Sequence, residues 1–231
     1  MRYFRCDSLS TFSLGTQVQL APEESMHAFK ILRMHKGDRL GLLDGGGHIA
    51  IAEITDFQQV KILSCQTVPV PQRRIHLFFA PPRKQKLDVL LKQAVELGVW
   101  ELIPVQCERS VVEPHSKSVD GRWQSLLFES CKQSVNPFFP KISHLTSFRD
   151  AVSIGEKSCS LCITGSPREC SCISLKEHSD IGYFVGPEGG FSEEEEKIMQ
   201  EHHFRTLRIG QWILRVETAV TAGLAVLNAL P

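Results

Sequence analysis

The residues whose types and spacing promise chemistry lie in 185–219, reading VGPEGGFSEEEEKIMQEHHFRTLRIGQWILRVETA. Two glycine-bearing turns, Gly186-Pro187-Glu188-Gly189-Gly190 and Ile209-Gly210, each follow a short apolar run that reads as a strand. One helical segment separates them. Glycines at the carboxyl ends of neighbouring strands let a backbone come close to a ligand, and α/β sheets hold their ligands at that edge. Either turn alone is ordinary Pro/Gly turn chemistry. The pair, followed by Ile213-Leu214-Arg215-Val216-Glu217-Thr218-Ala219, reads as a binding site carrying a cation and a carboxylate at a helix start.

The remaining sequence must supply the elements that position these groups. Residues 1–70 are β-rich, with strand-like runs at 16–20, 38–43, 48–52 and 60–63 and a hairpin turn at Asp44-Gly45-Gly46-Gly47. A helical piece over 25–35 interrupts them. Lys30, Arg33, Lys36 and Arg39, on or just after it, give a small barrel a basic rim. Residues 68–74 read as a proline-stiffened linker. In 71–231 the pattern changes to alternation: strands at 75–80, 102–105, 161–164, 181–185 and 206–209, with helices near 87–94, at 122–133, after Ser192 and over 216–230. Ser192 with Glu195 three residues on is a capping box. Repeated β-α units imply a parallel sheet with helices on both faces.

Composition narrows the class. The chain has 231 residues, 42% hydrophobic and 23% charged, which fits a folded core and excludes global disorder. No apolar run reaches the length needed to cross a bilayer, and Met1 to Ser8 lacks the apolar centre of a signal peptide, so a cytoplasmic protein is expected. Eight scattered cysteines need no disulfide framework. Cys159 and Cys162 with Cys170 and Cys172 have half the spacing of a zinc set; the Cys-x-Cys half is poor, and small buried hydrophobes are the favoured reading, with no metal. The net charge is zero, yet residues 1–86 carry 12 Lys+Arg against 7 Asp+Glu and residues 87–231 carry 14 against 19. A basic amino-terminal part beside an acidic remainder fits a polyanion docking on one face.

These residues resemble the RsmE family of small-subunit ribosomal RNA methyltransferases, in the SPOUT superfamily. The likeness runs through His27-Ala-Phe-Lys-Ile-Leu-Arg33 with Gly37-Asp38, Lys92 to Val99, Glu108-Arg-Ser-Val111, Glu129-Ser-Cys-Lys-Gln-Ser134, Pro140, and the two turns. It implies an α/β architecture: a small PUA-like RNA-binding β-barrel over 1–70, then a methyltransferase domain over 71–231 with a parallel sheet and a deep trefoil knot. It further implies a homodimer that transfers a methyl group from S-adenosyl-L-methionine to N3 of a uridine in 16S rRNA, on naked rRNA or the small ribosomal subunit.

The cofactor is expected against Gly186, Pro187, Glu188, Gly189, Gly190, Ile209, Gly210, Arg215, Thr218 and Ala219, with Leu161, Ile213 and Leu214 as further apolar walls. Arg215 is the catalytic candidate, stabilising charge on the uracil oxygens. Glu217 is expected to orient Arg215 or take the N3 proton, although helix amino termini favour acidic residues anyway. Phosphate contacts are expected from Lys30, Arg33, Lys36 and Arg39 and from Lys84, Lys86 and Arg109, with the barrel of one subunit serving the site of its partner. Asn136 and Gln211-Trp212 stand where the family usually has arginine. The competing expectation is an RNA-binding protein that kept this fold without catalysis; binding of S-adenosylmethionine separates the two.

Overall fold

Ala50, Ala52 and Ile54 alternate with less buried neighbours, and burying that face makes the segment a strand, β4 (His48–Asp56). It pairs antiparallel with β3 (Arg39–Leu43) and β5 (Gln59–Thr67), while β1 (Tyr3–Arg5) runs parallel to β3 and β2 (Gln17–Gln19) antiparallel to β5. The order β1-β3-β4-β5-β2 leaves β1 and β2 as edges, so the expected barrel is a half-barrel. It closes over Phe4, Leu9, Leu20, Ala28, Leu40, Leu42, Val60 and Ile62.

The computed structural model describes residues 1–111, 119–166 and 173–230. They divide into two units, Met1–Val70 with Phe128–Phe139, and Pro71–Leu127 with Pro140–Pro231. In the first unit, Phe128–Phe139 returns to the β3–β4 turn. Gly45 and Gly47 have φ of +78° and +99°, Phe139 N–H donates to Gly45 C=O at 3.3 Å, and Gly47 N–H donates to Pro137 C=O at 3.1 Å. Lys132 is buried there against Glu24 at 3.0 Å and Glu129 at 2.6 Å. Asn136, one of the departures from the family pattern, folds back to accept the Phe138 N–H at 3.0 Å, which shapes the turn.

The expected helix over 25–35 is shorter. A turn at Pro22–Ser25 continues as Met26–Ile31, and the Leu32 N–H reaches back five residues to His27 C=O. Arg33 then has φ +54°, which ends it. Lys30, Arg33, Lys36 and Arg39 are all exposed, on the helix, in the loop and at the start of β3.

The second unit is built on β6 (Arg74–Phe79), β7 (Glu101–Gln106), β10 (Leu161–Gly165), β11 (Asp180–Val185) and β12 (Arg205–Leu207), with short β8 (Lys141–Ile142) and β9 (Thr146–Ser147) beside β7. All pair parallel, in the order β12-β10-β11-β6-β7-β8. Strands buried on both sides explain the unbroken apolar runs. On one face Phe78 and Phe184 stack with ring centroids 4.1 Å apart and meet the helices Phe148–Ser158 and Glu193–Glu201. On the other, the buried Tyr183 donates its phenol to Ala219 C=O at 2.9 Å, on the helix Val216–Ala229, which packs with Lys84–Glu96. Among the described residues no helix is long and apolar enough to cross a membrane.

Candidate active site

The registers align the strand ends. Gly165 pairs with Leu207, Thr164 with Phe184, and Val185 with Phe79, so the segments after β12, β10, β11 and β6 leave one edge of the sheet. The chain passes from β6 to β7 on one side and returns as β11 on the other, making a switch point where open α/β sheets take ligands.

The first turn, at 186–190, is held from two sides. A Cβ on Gly186 would press the Phe191 ring, and Gly190 has φ +72° with open space where a side chain would project. Arg109, on the loop after β7, donates to Gly189 C=O at 3.2 Å and Phe191 C=O at 3.0 Å. Its aliphatic stem stands 3.3 Å from where a Gly189 Cβ would be. The capping box at Ser192 forms as expected, and its buried Glu195 carboxylate also accepts the Glu108 N–H at 2.9 Å. One carboxylate and one guanidinium thus join the loop after β7 to the turn after β11.

The second segment, 209–214, offers backbone. Among the described residues none of its N–H groups donates to another backbone carbonyl. Ile209 covers Gly165, its Cδ1 lying 3.8 Å from where a Cβ of that glycine would be. Leu214 and Gly210 are half-buried and adjacent, whereas Ile213 is 87% exposed. Arg215 caps the helix Val216–Ala229 in an extended conformation and is exposed; its carbonyl accepts the Ala219 N–H at 2.8 Å, and its guanidinium makes no hydrogen bond or ion pair with a described residue. Glu217 pairs with Lys86, Nζ to Oε1 3.5 Å, and not with Arg215. Its other oxygen, Oε2, is buried with no hydrogen-bond partner among the described residues. Thr218 is exposed, and Ala219 is half-buried against Tyr183.

The edge therefore collects Gly186, Pro187, Glu188, Gly189, Gly190, Ile209, Gly210, Leu214, Arg215 and Glu217. It does not collect Leu161, which opens β10 opposite Ile181, four residues before the edge and about 13 Å from it at 3.3 Å per residue. The residues on that strand nearest the site are Thr164 and Gly165. Lys86 and Arg109, read as phosphate contacts, are engaged with Glu217 and with the glycine turn. Arg109 carried a signal only in being adjacent to Glu108; its partners lie about 80 residues on. The side chain of Lys84, and Cys170 and Cys172, lie outside the described residues. Cys159 and Cys162 come together over Gly182, both sulfurs within 3.3 Å of its missing Cβ, at the far end of β10.

Bare backbone donors, glycine edges and two carboxylates, Glu188 and the half-orphaned Glu217, fit a ligand with a nucleobase edge and a positive charge. The model of the RNA methyltransferase domain matches residues 69–228, and that of the RNA methyltransferase PUA domain matches 20–63.

The chain belongs to the RNA methyltransferase family. Within that family it is 28% identical to the ribosomal RNA small subunit methyltransferase E of Synechocystis sp., across 96% of this chain and 80% of the relative. It is equally similar, at 28%, to that of Aquifex aeolicus, across 92% and 94%. The crystal structure of ribosomal RNA small subunit methyltransferase E from Neisseria gonorrhoeae bound to S-adenosyl methionine superposes with a TM-score of 0.86 at 27% identity, over 99% of this chain and 97% of that one.

Proposed function

We propose that this chain transfers the methyl group of S-adenosylmethionine to N3 of a uridine in 16S rRNA, as a cytoplasmic homodimer with the knotted sheet of its superfamily. One observation carries the reading: the 209–214 backbone N–H groups and the Arg215 guanidinium, none with a partner among the described residues, follow β12 at the sheet edge where the 186–190 turn follows β11. The names of the relatives support the ribosomal substrate, and the Neisseria gonorrhoeae complex supports the cofactor.

When bound, the cofactor supplies an electrophilic methyl group on a sulfonium. Gly186 to Gly190, Ile209, Gly210, Leu214, Thr218 and Ala219 would hold it, with the exposed Ile213 closing over it. The chain's own task is then to align the uracil and manage a proton. Bond formation at N3 requires loss of the N3 proton, which leaves negative charge on the flanking carbonyl oxygens. Arg215 is free to donate to those oxygens, and its fixed fork suits them. Glu217, with one oxygen on Lys86 and the other without a partner among the described residues, is the proton acceptor at hand.

The test is Arg215→Ala, read by calorimetry with S-adenosylmethionine and by mass spectrometry of 16S rRNA from small subunits prepared without this enzyme. Cofactor binding should persist while transfer falls on the order of 10²-fold or more, as when an oxyanion donor is removed. Normal turnover with lost cofactor would make Arg215 a pocket wall. A wild-type chain that takes RNA but no cofactor would be the non-catalytic binding protein instead.

A further inference from the structure

Three tryptophans have three fates. Trp123 is 2% exposed, Trp100 lies under the guanidinium of Arg74, 5.7 Å from ring centre to Cζ, and Trp212 is 79% exposed. An indole left in water forgoes about 1.5–3 kcal/mol of burial, and with the 87%-exposed Ile213 beside it the loop presents contiguous apolar surface of the kind that marks an interaction site. Trp212 sits in the 209–214 segment, three residues before Arg215 and four after Arg208. Both arginines are exposed, and neither their side chains nor the Trp212 indole makes a hydrogen bond or ion pair with a described residue.

We propose that Trp212 is a stacking platform for a base of the RNA substrate, next to or at the methylated uridine; this rests on the function proposed above. An exposed aromatic ring flanked in sequence by two exposed arginines without a described side-chain partner is the pairing that single-stranded nucleic acid uses: bases stack on the ring while cations meet the phosphates. A second copy of the chain suits the patch less well. In a two-fold contact centred on Trp212 the same patch faces itself, bringing Arg208 and Arg215 against their own counterparts.

The experiment uses a labelled 16S rRNA transcript without cofactor, so that binding is read apart from transfer. Trp212→Ala should weaken RNA binding roughly 5- to 150-fold, the range one base–aromatic stack is worth, with the salt slope and the S-adenosylmethionine affinity unchanged. Trp212→Phe should keep most of the affinity. RNA should quench the indole fluorescence of the wild type and lose that effect in Trp212→Phe. Trp212→Arg should steepen the slope of log affinity against log salt by about 0.7–0.9. Unchanged RNA affinity in Trp212→Ala overturns the proposal. So does light scattering that shows Trp212→Ala splitting a dimer, which would make the ring a contact between copies. Intact quenching with no methylation by the wild type would instead count against the proposed reaction and leave the stacking standing.

Discussion

Lys86 Nζ stands 3.5 Å from Glu217 Oε1, joining the first helix of the second unit to the helix that Arg215 caps. The lysine is therefore a partner of the candidate proton acceptor rather than a free phosphate contact. Its side chain is 38% exposed and that of Glu217 18%, so the pair contributes at most about 1 kcal/mol to folding. Lys86→Met should move the thermal midpoint by no more than about 2–4 °C, the scale for 1 kcal/mol at this size, while lowering transfer at least about tenfold. In a double-mutant cycle with Glu217→Gln the losses should fail to add. Additive losses would show two independent residues.

Arg109 gives a second test, because its two possible roles differ in salt dependence. As the brace of the glycine turn, Arg109→Ala should weaken S-adenosylmethionine binding by calorimetry and leave the RNA salt slope alone. As a phosphate contact it would flatten that slope by about 0.7–0.9 and spare the cofactor. Arg109→Lys should rescue only partly, since a point donor does not span two carbonyl oxygens as a planar fork does.

His76 predicts a pH profile. Nδ1 faces Glu101 at 2.9 Å and Nε2 faces Asp180 at 3.1 Å, two carboxylates that favour the doubly protonated ring; Arg74 and Ser179 also donate to Asp180. Burial alone would depress the histidine, but the hydrogen bonds to Glu101 and Asp180 raise it above its ordinary value. A raised folded value means this contribution is complete below about pH 6.5 and is lost as pH climbs through the folded value. Asp180 has the opposite sign: burial would raise it, yet Arg74, His76 and Ser179 hold it low, so its contribution is lost only in acid. The thermal midpoint should therefore decline on the alkaline side, and His76→Gln should flatten that decline while keeping the acid limb. An unaltered alkaline limb would exclude His76 as its source.

Gly223 should be the least tolerant position of the final helix. A Cβ there would collide with the Tyr183 ring. Gly223→Ala should lower stability by about 1–3 kcal/mol in denaturant melts, the cost of overpacking. Tyr183→Phe should not restore it, because the ring carbons are as close as the phenol oxygen; equal stability of Gly223→Ala and the wild type would refute this packing.

The sheet was legible because 75–80, apart from His76, and 181–185 are short apolar runs, as strands covered on both faces require; Phe78 on Phe184 is the result. The helix Phe148–Ser158 was not read, although Ser147 accepting from Asp150 N–H is a cap written in sequence. Its buried stripe of Phe148, Ala151, Val152 and Gly155 lies opposite Arg149, Asp150, Glu156 and Lys157, so the amphipathic spacing was also there to be read. The two glycine turns were legible as strand-end turns, and both follow strands that end at one edge of the sheet. Leu161 was misplaced because an apolar strand does not declare which of its residues lies at the ligand end. Lys86 and Arg109 looked alike as surface cations; what separates them from Lys30 or Lys36 is a partner distant in sequence.

The return of Phe128–Phe139 to the β3–β4 turn bears on synthesis. Domains tend to fold from the amino terminus as the chain emerges. Here the half-barrel lacks the rings that pack on Gly45 and Gly47, and the lysine that pairs with Glu24, until Phe139 has left the ribosome. A nascent fragment ending at Val70 would expose that turn to chaperones and proteases, and the first unit would mature only with more than half of the chain already made.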